Sequence, residues 1–313
     1  MQLYRYSLFL LSVAMAALLI SFSSAYHVSV LRAHGITLRF PSSPNQKEVI
    51  KQLILGVLEH HNEDNKGRAV RVLFYEENGQ WKAFPTNFDT EKELSQAVRS
   101  FPEAVTWTIC FDGRTLGSLA SKSPPSYSQY ADIGLQQITS KGSVPTVGQP
   151  SAVFSGWPGG RTYRPLVLNS RPYCGDSEKW RPEKPEQEEI SAIKDYLGKT
   201  FQVSPSKLSK ASIKVNKSYG SQNRNGKLIS LDIAKAEVIP VEGENDQNTG
   251  AWFYVKGREV RYLGSNMLLM DIGDYDQDGH EEALFKIQRY NNDGYTLHFD
   301  GFKQKVEFSW SYH

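Results

Sequence analysis

The stretch 271–285, DIGDYDQDGHEEALF, limits what this chain can fold into more than any other. Asp274, Asp276 and Asp278 alternate, Gly279 follows at once, and Glu282 stands four residues beyond the last Asp, beside Glu281. Carboxylates this dense repel one another when the loop closes. A hard divalent cation that takes about six to eight oxygens at roughly 2.3–2.6 Å turns that repulsion into ligation. A merely solvated acidic turn is the competing reading. The apolar residues Leu268, Leu269 and Met270 on one side, and Ala283, Leu284 and Phe285 on the other, favour a loop held between two strands.

Residues 266–272 and 282–290 read as strands flanking the loop. Asn291-Asn-Asp-Gly294 turns the chain into 295–300, and 306–310 follows. Four strands joined by short turns make an antiparallel meander, whose apolar face must stack on another sheet, as in a propeller blade or a sandwich layer. Upstream, 26–40, 212–219, 227–233, 251–255 and 260–263 also read as strands. Asn78-Gly79 and Asp112-Gly113 mark hairpins joining 68–77 to 81–84 and 105–111 to 114–119. Residues 121–130 and 142–150 read as loops, with short strands at Val153-Phe154 and 166–168. Three helices are expected. Residues 46–60 carry Val49, Ile50, Leu53, Ile54, Val57 and Leu58 at helical intervals, 90–99 carry Leu94 and Val98, and a third helix from Glu186 carries Ile190, Ile193, Tyr196 and Leu197, with Gly198 to end it. The expected class is mainly β with a few helices, built of antiparallel meanders as an irregular propeller or stacked sheets.

Residues 1–25 combine Arg5, an apolar run from Leu8 to Ile20 and a small-residue exit at Ser23, Ser24 and Ala25. That is the pattern of a signal peptide cleaved after Ala25, with an uncleaved anchor as the alternative. A β-rich region 26–180 with two helices and a second β-rich region 181–313 carrying the acidic loop are then expected, the boundary falling in the polar, Pro-punctuated stretch 173–185. The formal net charge of +2, from 36 Lys+Arg against 34 Asp+Glu, offers no basic field for nucleic acid. Cys110 and Cys174 are the only cysteines. Export would let them pair as a disulfide, and two separate buried thiols are the other reading.

Numbered from Asp274, an EF-hand requires a bidentate Glu at position twelve between two helices. Position twelve here is Phe285. The stretch instead resembles the calcium-binding β-hairpin loops of FG-GAP and VCBS repeats, including those of integrin-type propellers, in the C-terminal region only. The resemblance implies Ca2+ held by the side chains of Asp274, Asp276, Asp278 and Glu282 and by the His280 carbonyl, with Glu282 where the family more often has Asp. The expected signal peptide makes the chain secreted, periplasmic or on the cell surface, where calcium would saturate even a site of about 10⁻⁴ M, so the ion is expected to be structural.

Other candidates are weaker. His60-His61 near Glu63 and Asp64 lacks the i, i+4 spacing of a helical metal pair. Trp157 beside Pro158-Gly159-Gly160, and Trp252, Phe253 and Tyr254, would suit either a sugar-stacking surface or core packing. Phe154-Ser155-Gly156 does not complete a GxSxG elbow. Asn216-Lys-Ser218 fits a glycosylation acceptor. The function expected is therefore non-enzymatic binding or interaction with a protein or glycan partner, calcium being structural; the alternative is a secreted glycan-active hydrolase or lyase on the same scaffold.

Overall fold

The computed structural model describes residues 52–60, 67–86, 88, 90–127, 130–141, 143–145, 153–154, 164–233, 250–289 and 291–311. All of them belong to one compact unit, Lys51–His313. The expected signal peptide, the strands at 26–40, His61 and Trp157 lie outside the described residues.

The unit is mainly β, and every strand pairing among the described residues is antiparallel. Its first sheet comprises β1 (Ile54–His60), β2 (Arg68–Glu77), β3 (Gln80–Ala83), β4 (Ala104–Phe111), β5 (Arg114–Lys122), β6 (Leu135–Ile138) and β7 (Leu166–Asn169). In the order β1-β7-β4-β5-β6-β2 it closes into a ring, because β1 also pairs with β2, and β3 extends β2 at the rim. The second sheet runs β12-β11-β10-β9-β8, from Glu259–Ser265 (β12) through Ala251–Lys256 (β11), Lys227–Ile233 (β10) and Ile213–Ser221 (β9) to Trp180–Pro182 (β8). The third is the expected meander, β13 (Met267–Gly273), β14 (Glu282–Arg289), β15 (Asn292–Phe299) and β16 (Gln304–Ser311). Helices α1 (Glu91–Val98), α2 (Gln187–Thr200) and α3 (Pro205–Lys210), with a 3-10 turn at Tyr130–Asp132, complete the described elements. None of the described helices is long and apolar enough to cross a membrane.

The helix expected over 46–60 is overturned where it can be seen, because Ile54–His60 is a strand. Its run ILGVL is apolar without a polar face and is buried along its length, and a short run of this kind fits a strand enclosed on both sides as well as it fits a helix. Val153 and Phe154 form a bend rather than a strand, and β6 lies between the two expected loops, in a stretch for which no element was expected. Helix α2 continues past Gly198 to Thr200. Its start is secured by Glu186 and Glu189, which cap each other's backbone reciprocally.

The meander is the middle layer. Met270, Leu284, Tyr295, Leu297, Phe308 and Trp310 join the core of the ring sheet, whereas Leu269, Ile272, Ala283, Phe285 and Ile287 pack against Trp180, Leu228 and Trp252 of the second sheet. Alternation along β14 and β15 produces both faces at once. On the far side of the second sheet, Ile229, Leu231 and Phe253 receive Ile193 and Leu197 of α2. Trp252, Phe253 and Tyr254 are thus core residues.

Polar ties cross the layers. Tyr295 Oη donates to Glu59 Oε2 at 2.7 Å, Glu59 Oε1 pairs with Arg71 Nε at 2.6 Å, and the Arg71 guanidinium lies 4.0 Å from the Trp310 ring centroid. Trp252 Nε1 donates to the Met267 carbonyl at 3.0 Å.

His298, in the middle of the meander, is buried against Phe285, and burial lowers its imidazole from the ordinary 6.5 to about 3. Its pairing neighbour Lys305 on β16 adds to this by like-charge repulsion. A folded value below the unfolded one means that the unfolded chain takes the proton first. The stability this group contributes is complete above about pH 6.5 and is lost as pH falls towards 3, by on the order of 2 kcal/mol at pH 5. Urea melts should therefore show His298→Leu losing less stability than wild type between pH 7 and pH 5; equal losses would contradict a buried neutral imidazole.

Candidate metal centre

The acidic loop joins β13 to β14, whose ends pair Gly273 with Glu282. Gln277 (φ +66°) and Gly279 (φ +85°) take left-handed backbone conformations, and Gly at the second turns the loop without a Cβ penalty. The carboxylates then fold onto the loop's own backbone. Asp274 Oδ2 accepts from Gly279 N at 3.1 Å, Asp276 Oδ1 from Asp278 N at 3.1 Å, and Glu282 Oε2 from Tyr275 N at 2.8 Å. This curling brings one carboxylate oxygen from each of Asp274, Asp276 and Glu282 within 4.8 Å of one another. Asp274 and Glu282 are buried, at 5 % and 1 % exposure, and Asp276 is half-buried. Asp274 Oδ1 is buried and accepts no hydrogen bond.

Electrostatics follow from this crowding. Burial first, then the charges of Asp278 and Asp274, raises Asp276 to about 6. Burial and the neighbouring Asp276 carry Glu282 well above the ordinary carboxylate range, and burial raises Asp274 as well. All three groups are being pushed towards the neutral form, and a bound divalent cation inverts that tendency by favouring the ionised oxygens. Oxygen-only donors of this kind suit Ca2+ or Mg2+ rather than a softer metal.

The loop rests in a cradle made by the chain just after β7. Asn169 Nδ2 donates to the carbonyls of Tyr173 and Tyr275, both at 3.0 Å, and Arg171 Nη1 reaches the Asp276 carbonyl at 3.3 Å. Asp274 N donates to the Gly175 carbonyl at 2.9 Å. At the far end of the loop, Glu281 Oε1 accepts from Ser177 Oγ at 2.7 Å and from Glu178 N at 2.8 Å. Arg224, in the β9–β10 connection, closes the third side. It meets His280 Nδ1 at 2.7 Å and Glu178 Oε1 at 3.3 Å, and it donates to the Gly279 carbonyl.

Of the residues expected at the site, Asp274, Asp276 and Glu282 converge. Asp278 is exposed and stands outside that triad, its Oδ1 accepting from His280 N at 2.6 Å. His280 is half-buried, with its ring turned to Arg224. Cys110 and Cys174 form a disulfide with Cα atoms 5.3 Å apart. His60 ends β1, and Asn216 is exposed on β9 with Nδ2 at 3.3 Å from Asp232 Oδ1. Sequence reasoning missed Asn169, Gly175, Ser177, Glu178, Arg224 and the part played by Glu281. The only local signal for the cradle was a polar, aperiodic stretch, which reads equally well as a boundary. No family model, no curated protein and no solved structure matches the chain, so the function of the site has to be read from its own chemistry.

Proposed function

We propose that this is an exported, calcium-stabilised β protein with a non-enzymatic binding or interaction role, its ion structural. The observation that carries the calcium reading is the buried Asp274, whose Oδ1 accepts no hydrogen bond and whose carboxylate brings one oxygen together with one each from Asp276 and Glu282, all within 4.8 Å of one another. Three carboxylates held this way cost stability unless a cation joins them.

The same geometry favours holding over turnover. One oxygen of each of these side chains accepts from a backbone N–H of the loop, which holds the three carboxylates in place as ligands. Export is supported by the disulfide, which persists in oxidising compartments. The ion would then meet extracellular calcium, where even a Kd of about 10⁻⁴ M leaves a site filled.

The test is a thermal melt of chelator-treated protein with calcium, magnesium or chelator alone. A rise of several degrees in calcium, smaller in magnesium, is expected, because binding only the native state stabilises it. Identical melts in all three would reject the reading.

A further inference from the structure

The disulfide and the cradle are the same piece of chain. Cys174 immediately precedes Gly175, whose carbonyl receives Asp274 N, and the following Ser177 and Glu178 hold Glu281 beside the ligand Glu282. Residues 174–178 therefore grip the acidic loop at both ends. The other half of the bond, Cys110, sits near the end of β4, paired with Val167 across the ring sheet. Next to it the β4–β5 turn presses on the cradle: a Cβ built on Gly113 would meet Asp176 Cβ at 2.4 Å. Both cysteines are buried. Beyond Asp176, the cradle is anchored by Trp180 N donating to Asp176 Oδ1 at 3.1 Å and by the pairing of β8 with β9. One end is thus held by a sheet ladder, and the other by the short link back to β7 and by a covalent bond to β4 of the ring sheet.

We propose that the Cys110–Cys174 bond and the cation site are thermodynamically coupled: closing the bond seats residues 174–178 against the acidic loop and tightens calcium binding, and bound calcium in turn protects the bond from reduction. This rests on the calcium reading above. The reciprocity is obligatory, since two events that favour the same arrangement of one segment must favour each other by the same factor. Bond closure removes two protons and two electrons from the thiols of Cys110 and Cys174. Both electrons pass by thiol–disulfide exchange to an oxidant disulfide, which leaves as a dithiol. In a reducing compartment the loop stays a weak site, its cradle held on that side only through residues 170–173 and the Asn169–Tyr173 hydrogen bond. In an oxidising, calcium-rich compartment both halves of the clamp form together, so the ion site matures only after export.

The experiment compares calcium affinity, by titration calorimetry, of the oxidised wild type and of Cys110→Ala/Cys174→Ala, with far-UV circular dichroism to check that the variant is folded. The variant is expected to bind about ten-fold or more weakly, within the range usual for coupled sites. Equal affinity in the folded variant would overturn the coupling and leave the calcium site standing, whereas no uptake by wild type would overturn both. The reverse direction needs no cysteine variant. Native wild type is brought to equilibrium in dithiothreitol redox buffers of graded ratio, with calcium or with chelator, and its free thiols are trapped and counted. The equilibrium constant for reduction is expected to be about ten-fold lower in saturating calcium for wild type, by the same reciprocity, and unaffected by calcium in Asp274→Asn. Equal constants for wild type in calcium and chelator would overturn the coupling even if the double variant does not fold.

Discussion

In chelator, Glu282→Gln and Asp274→Asn are each expected to melt above wild type, and in calcium each is expected to melt below it. The crossing follows from the opposed roles of the carboxylates. Without an ion, burial and mutual repulsion make the charged forms of Asp274, Asp276 and Glu282 unfavourable, and an isosteric amide removes one of the charges. With an ion, that same charge is a ligand. At a calcium concentration a hundred times Kd, the wild type gains about 2.7 kcal/mol that a variant unable to bind forgoes. In a chain of this size that is a shift of roughly 5–10 °C.

The pH dependence carries the same sign. Asp276 titrates near 6 when folded and near the ordinary 3.8 when unfolded, so the folded chain holds its proton longer. In chelator, wild-type stability should therefore fall as pH rises from about 4 to about 6. Calcium should remove that fall, because it competes with the proton for the same oxygens. Variants that melt below wild type in chelator, or that keep its calcium response, would show that these side chains do not form the site.

The second large effect concerns the disulfide taken alone, as a tether. It closes a loop with a sequence separation of 64, and the chain-entropy model then gives a stabilisation of about 4 kcal/mol. Replacing both cysteines with Ala is expected to lower the midpoint by roughly 8–15 °C. Most of that loss should persist in chelator, because the entropy of the unfolded chain does not depend on the ion. A loss confined to calcium-containing buffer would assign the bond to the cation site only and refute its role as a general tether.

The strands were legible wherever the chain carries turn chemistry. Asn78-Gly79 and Asp112-Gly113 each connect two paired strands, and all four residues take the positive φ that such turns require. The meander was legible because its strands alternate and its turns are short. What failed is instructive. Ile54–His60 carries no polar face to set its period, and its place in the ring depends on partners remote in sequence, including β7. Helix α3 was missed although Ser204 followed by Pro205 is a helix-start signal, and the Ser204 side chain does cap Lys207 N.

At the site, the loop was legible because its carboxylates are local, while the choice among them was not. Asp274, Asp276 and Asp278 look equivalent in sequence, and only the turn at Gln277 and Gly279 leaves Asp278 outside the triad. The cradle was invisible for a different reason. Ser177 and Glu281 lie 104 residues apart, and nothing in either neighbourhood announces the other. Polar contacts of that range are set by how the ring sheet and the meander pack, which local pattern does not encode.

Titration calorimetry of calcium into chelator-treated, oxidised protein tests the central claim most directly. The account predicts one site per chain with a Kd at or below about 10⁻⁴ M, and no saturable heat with Asp274→Asn. Absence of saturable binding by the wild type, or an equal isotherm from the variant, would contradict it.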